Sequence, residues 1–124
     1  MAVNPYAKYV EQSIQTMTQG EMVIRLYEEI DKEINIALAG LETKRFEESN
    51  RAIQKCQRII RHLKQTLNHQ YGVAGELNKL YDFFLQQLLE ANLKKDLQPL
   101  ESILPMVVEM KNAFAQSEKR ARIG

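Results

Sequence analysis

The stretch LYDFFLQQLLEANLKKDLQPLESILPMV, Leu80 to Val107, decides the fold. Set out at ~100° per residue, Leu77, Leu80, Tyr81, Phe84, Leu88 and Ala91 form one helical core stripe. Leu85, Leu89 and Leu93 carry that stripe sideways, and Phe83 flanks its other edge. The apolar sector then covers well over half the circumference, whereas a helix packed on one side needs only ~100° or somewhat more. The surplus asks for a cover: a neighbouring helix, a second copy, or a foreign partner.

Working outward, the same period recurs on both sides. Upstream, Val23, Leu26, Tyr27, Ile30, Ile34, Ala37, Leu38 and Leu41 keep helical spacing. Thr18 and Glu21 have the spacing of a capping box at the start of that helix, with Gly20 weakening its first turn. A break near Glu42 to Arg45 leads to a second helix. Its stripe, Phe46, Ser49, Ile53, Cys56, Ile60, Leu63 and Leu67, steps by three and four as a heptad seam, with a polar back. The turn NHQYGVAGE, Asn68 to Glu76, ends it, with Gly72 and Gly75 permitting positive φ. The broad third helix stops around Asn92 to Lys95. Asp96 is placed to cap the fourth, with Pro99 in its first turn. Leu100, Ile103, Leu104, Val107, Met110 and Phe114 form the fourth stripe, and Pro105 inside it predicts a kink or a local loss of hydrogen bonding. Strand-like alternation is absent. Short connections make successive helices antiparallel neighbours. The prediction is an all-α, antiparallel up-down-up-down four-helix bundle forming one domain over 1–124, with residues 1–17 as a short N-terminal segment able to move.

Composition narrows the function. A chain of 124 residues is long enough for a real core. Its formal net charge of +1 gives no strong field toward nucleic acid or an anionic membrane. The basic tail, Lys119, Arg120 and Arg122, reads as a solvated end. One cysteine rules out an internal disulfide and fits a reducing compartment. The first residues, MAVNPYAKYVEQS, carry no apolar signal-peptide core, and no segment is long enough to span a bilayer. A cytoplasmic protein is expected.

Catalytic and metal-binding patterns are missing. His62 and His69 are seven residues apart, ~10 Å along a helix, and neither follows a glutamate by three as in di-iron bundles. No cofactor is expected. Cys56 lies on the seam of the second helix and reads as an inert buried thiol. Gly72-Val-Ala-Gly75 has the G-x-x-G form of nucleic-acid clamping loops, but between two helices these are helix-stop glycines. Tyr27 and Tyr81 read as core residues with hydroxyls at the rim. Tyr6 and Tyr9, beside Asn4-Pro5, belong to a segment that docks on its own bundle or helps form or cover a partner groove.

Asn4-Pro5-Tyr6 with Tyr9, Leu26-Tyr27, Tyr71-Gly72, Leu80-Tyr81-Asp82-Phe83, and Leu88-x-Glu90-Ala91-Asn92 with Lys95-Asp96 together resemble the flagellin-specific export chaperones, the FliS family. The likeness runs from Asn4 to about Phe114, and the segment from Leu80 to Asp96 is its most specific part. The resemblance implies a small cytoplasmic helical bundle, not an enzyme, that binds the disordered C-terminal segment of newly made flagellin. It implies that the partner is held monomeric until the flagellar type III export apparatus takes it, with room for a co-chaperone or regulator. It further implies an N-terminal segment near the binding surface that moves when flagellin arrives, which points to Tyr6 and Tyr9. Phe114 stands where the family often has Trp, and Gln19-Gly20 replaces the usual Ser-Pro-Glu-type helix start.

Residues and resemblance converge on partner binding by Tyr6, Tyr9, Tyr81, Leu85, Leu89, Asn92 and Leu93. The mode is helix-in-groove recognition, mostly apolar and weakly dependent on salt. The strongest competitor is a self-associating structural bundle, since the same surplus could make a homodimer.

Overall fold

The computed structural model describes residues 19–68 and 73–123. Among them are four helices: α1 (Gln19–Glu42), α2 (Phe46–Gln65), α3 (Ala74–Lys94) and α4 (Gln98–Ile123). Each helix touches its sequence neighbours, and α4 closes the ring against α1. The cross-helix pairs set the directions. Lys55 meets Glu29 while Arg45 meets Gly40. Lys64 meets Asp82 while Asn50 meets Asn92. Lys111 meets Asp31 while Phe114 packs on Tyr27. In every case residue numbers rise on one helix as they fall on the other, so these neighbours are antiparallel, as the short connections require.

The core is the sum of the four stripes. Ile30, Ile34 and Ala37 from α1, Ile53, Cys56 and Ile60 from α2, Phe84, Leu88 and Ala91 from α3, and Leu100, Ile103 and Val107 from α4 are all without solvent exposure. Cys56 is as inert as expected: burial, then the nearby Glu33 carboxylate, pushes its thiol up to about 12, so at neutral pH it is a protonated, weakly donating group over the Ile30 carbonyl. The α1–α2 corner closes with two bonds, Arg45 N–H to the Gly40 carbonyl at 2.7 Å and Lys44 N–H to the Leu41 carbonyl at 3.3 Å. That is the Schellman pattern, with Lys44 in the left-handed region (φ 59°) where glycine is usual. At Gly40 a Cβ would press on the Arg45 carbonyl and on Ser49, so its lack of a side chain lets the two helices meet.

Several expectations are corrected. Phe46, placed on the core seam, is 42% exposed, because it is the first residue of α2 and has no preceding turn to cover it. Gly75 adopts no positive φ; it lies inside the first turn of α3, with Val73 before the helix. Gly72 lies outside the described residues, as do Tyr6, Tyr9 and Thr18 of the expected capping box. The α4 helix runs unbroken through Pro105. Pro105 and Glu101, one turn earlier, are both exposed, so water can serve the carbonyl that proline cannot. Asp96 accepts the Gln98 amide at 3.0 Å, which is the cap foreseen for this helix.

The tyrosines differ most from expectation. Neither hydroxyl reaches the rim: Tyr27 and Tyr81 are buried, and Tyr27 donates to Tyr81 at 3.0 Å across the bundle. Burial raises both phenols above their ordinary range, and for Tyr27 the neighbouring Tyr81 adds to it. Removing one hydroxyl strands the other, whereas removing both leaves only apolar surface. Tyr27→Phe is therefore expected to destabilise by ~1–3 kcal/mol, and Tyr27→Phe with Tyr81→Phe by clearly less than the sum of the single changes. Urea unfolding of the four proteins measures this. The sign with pH also follows. A raised native pKa stabilises below the unfolded value of ~10, and that stability is lost as the unfolded phenols ionise above it. The double variant should lose less on going alkaline.

Candidate functional site

On α3 the core stripe ends at Leu88 and Ala91, yet apolar residues continue around the helix. Leu85 is half-buried against the core. Leu89 is 51% exposed and Leu93 is 75% exposed. Steps of four residues at ~100° each turn every next leucine a further ~40° around the axis, so the three form a ridge that winds from the bundle's flank out to solvent. Phe83 is exposed on the opposite edge and tilts against Phe84. The sequence places no side chain of its own over Leu93 among the described residues.

The ridge borders the α2–α3 groove. At one end a pocket of about 540 Å³ is lined by Arg61, Lys64 and Gln65 of α2 and by Asn78 and Leu85 of α3. At the other end Asn92 donates to Asn50 Oδ1 at 2.7 Å and accepts from Lys95 Nζ at 2.8 Å. Lys95 takes the left-handed conformation that ends α3 (φ 52°), and its ammonium sits over the Phe46 ring at 5.9 Å. The exposed Phe46, unexplained as a core residue, thus belongs to this end of the groove. Sequence periodicity missed it because only the turn at Lys95 brings the start of α2 beside the end of α3.

Tyr81 stands apart from the ridge. It forms part of a cavity of about 590 Å³ at the pole where α1 begins and α2 ends. Val23, Leu63, Leu67, Val73, Leu77 and Phe114 line the same space, and Gly20 and Ser117 lie at it. Glu118 of α4 reaches over Gly20, where a methyl group would strike its carboxylate. The glycine at this unusual helix start therefore makes room for a side chain from the last helix. Of the seven residues expected to bind a partner, Leu85, Leu89, Asn92 and Leu93 share the α2–α3 side, Tyr81 lines the largely apolar cavity at the pole, and Tyr6 and Tyr9 lie outside the described residues.

No group of His, Cys, Asp and Glu among the described residues could hold a metal ion. No described helix is long and apolar enough to cross a membrane. The family model described as "Flagellar protein FliS" matches residues 2–121. The chain belongs to the FliS family. The flagellar secretion chaperone FliS of Bacillus subtilis (strain 168) is 32% identical over 98% of this chain and 93% of that protein. The Salmonella typhimurium (strain LT2) flagellar secretion chaperone FliS is 26% identical over 96% of this chain and 91% of its own. That of Vibrio cholerae serotype O1 is 37% identical over a shorter span, 47% of this chain and 44% of its own. Family and relatives make this a flagellar secretion chaperone with an all-α four-helix architecture.

Proposed function

We propose that this FliS-family bundle binds the disordered C-terminal segment of flagellin along the α3 ridge, in the bacterial cytosol, and keeps it from polymerising before the type III export apparatus takes it. The exposure of Leu89 and Leu93 carries this reading. Two leucines more than half exposed on a well-formed helix are surface that the bundle's own core does not use, and a partner's apolar face would complete them. Burying a leucine fully gains ~1.5–3 kcal/mol, and ordering a disordered ligand takes back several kcal/mol. The balance suits a hold that is firm yet reversible without ATP. Leu85 forms the inner wall, Asn92 and Asn50 offer amide groups to the partner's backbone, Tyr81 meets the ligand where it reaches the apolar cavity at the pole, and Tyr6 and Tyr9 complete or cover the surface. A co-chaperone or regulator is compatible with the faces left open.

Co-purification with full-length flagellin and with flagellin lacking its C-terminal segment tests the proposal. Retention of the full-length protein alone is expected; retention of both would refute this mode. Light scattering separates the self-associating alternative: a dimer that persists unchanged when the C-terminal peptide is added would mean that the ridge serves a second copy.

A further inference from the structure

The charges of α2 are segregated in a way that the net charge hides. Between Glu48 and Glu76 the chain has no Asp or Glu, while Arg51, Lys55, Arg58, Arg61 and Lys64 fall within α2. The two lysines are neutralised: Lys55 by Glu29 at 2.7 Å and Glu33 at 3.2 Å, and Lys64 by Asp82. The Lys55 ammonium in turn holds the Glu29 carboxyl below its usual range. The three arginines are different. All are exposed, and among the described residues none makes an ion pair. Elsewhere cations stand among carboxylates, either paired as in Glu90–Lys94 and Glu76–Lys79 or, like Arg25 and Lys32, near Glu29 without an ion pair among the described residues. An ordinary solvated helix face would show the same mixture.

Arg51 and Arg58 stand two turns apart, ~10 Å, over a groove of about 550 Å³ between α1 and α2. Ile36, 39% exposed, lies in it. Arg61, one turn on, lines the α2–α3 pocket instead and is not part of this groove. We propose that this face of α2 docks an acidic segment of a second protein, at a place distinct from the α3 ridge. Carboxylates two turns apart on a helix, or three residues apart on an extended strand at ~3.3 Å per residue, match the guanidinium spacing, and an apolar side chain between them would meet Ile36. Guanidinium groups pair with carboxylates in fork geometry, and a patch of one sign both steers and selects its partner. Nucleic acid fits less well: Glu33 and Glu48 in the groove wall would repel a continuous phosphate chain, and the whole molecule carries only +1.

Fluorescence anisotropy on the full chain tests it with three labelled probes. One is a peptide of about five helical turns with glutamate repeating at i, i+3 or i+4, and i+7 among Leu and Ala. The second is its lysine counterpart, and the third a single-stranded oligonucleotide of similar length. The glutamate peptide is expected to bind, and to weaken several-fold between ~50 and ~300 mM KCl as screening shortens. Arg51→Gln and Arg58→Gln together should weaken it about ten-fold or more. Lys79→Gln and Lys119→Gln remove equal charge elsewhere and should change it less than about two-fold. Circular dichroism checks that both double variants fold. The proposal is overturned if the lysine peptide binds as well, if the two double variants lose equally, or if the oligonucleotide binds as tightly as the glutamate peptide. Because flagellin binding at α3 is apolar and weakly salt-dependent, it should survive the arginine changes, so either site can fail without the other.

Discussion

Leu89→Glu combined with Leu93→Glu is expected to weaken flagellin binding about a hundred-fold or more while leaving the urea midpoint of the free protein nearly unchanged. Both side chains are more than half exposed in the bundle, so exchanging them in the unbound state moves little apolar surface; exposed substitutions of this kind usually stay within ~0.5 kcal/mol. In the complex the account reverses. Burial of the exposed parts of two leucines is lost, together ~2–4 kcal/mol, and two carboxylates would have to be desolvated against the partner's apolar face. At ~1.4 kcal/mol per ten-fold change, the leucine contribution alone reaches two decades. Titration calorimetry against a flagellin C-terminal peptide, beside urea unfolding of the free variant, reads the two effects separately. Unchanged affinity in a folded double variant would remove α3 from the binding surface.

Phe84→Ala should give the opposite pattern: a loss of ~3–5 kcal/mol in stability. Phe84 has no solvent exposure and sits on the same helix, five residues before Leu89. Its ring is surrounded by the core, so truncation leaves a cavity that neighbouring rigid helices cannot close, and the lost contacts add to the lost transfer energy. Since small domains carry only ~5–15 kcal/mol in all, a large share of the fold's stability goes with it. The urea midpoint should fall sharply with little change in slope, as expected when stability rather than compactness changes. A small effect would mean that α3 is not packed as described. The pair of experiments divides one helix into an inward half that maintains the bundle and an outward half that meets a partner.

The bundle was legible because each stripe repeats at helical spacing over several turns, and the breaks at Thr43–Arg45 and before Gln98 coincide with lost periodicity. The ridge was legible for the same reason: Leu85, Leu89 and Leu93 are apolar residues that the stripe does not require. What escaped depends on tertiary neighbours. The seam of α2 extended to Phe46 because periodicity does not register that a helix has begun. The meeting of the Tyr27 and Tyr81 hydroxyls joins residues 54 apart in sequence, and no local pattern announces it. The open arginines of α2 were masked by an average, since +1 over the whole chain conceals a stretch of α2 after Glu48 that has no carboxylate of its own. The signal that could have shown them is the long interval between Glu48 and Glu76.

The cavity at the pole has an optical consequence. The chain contains no tryptophan, and Phe114, half-buried, faces that cavity while tilting against Tyr27 at 5.4 Å between ring centres. A single indole introduced there by Phe114→Trp would shine alone when excited at the red edge, on a background silent by composition. Whatever enters the cavity would change its colour, so occupancy could be followed in real time without a dye.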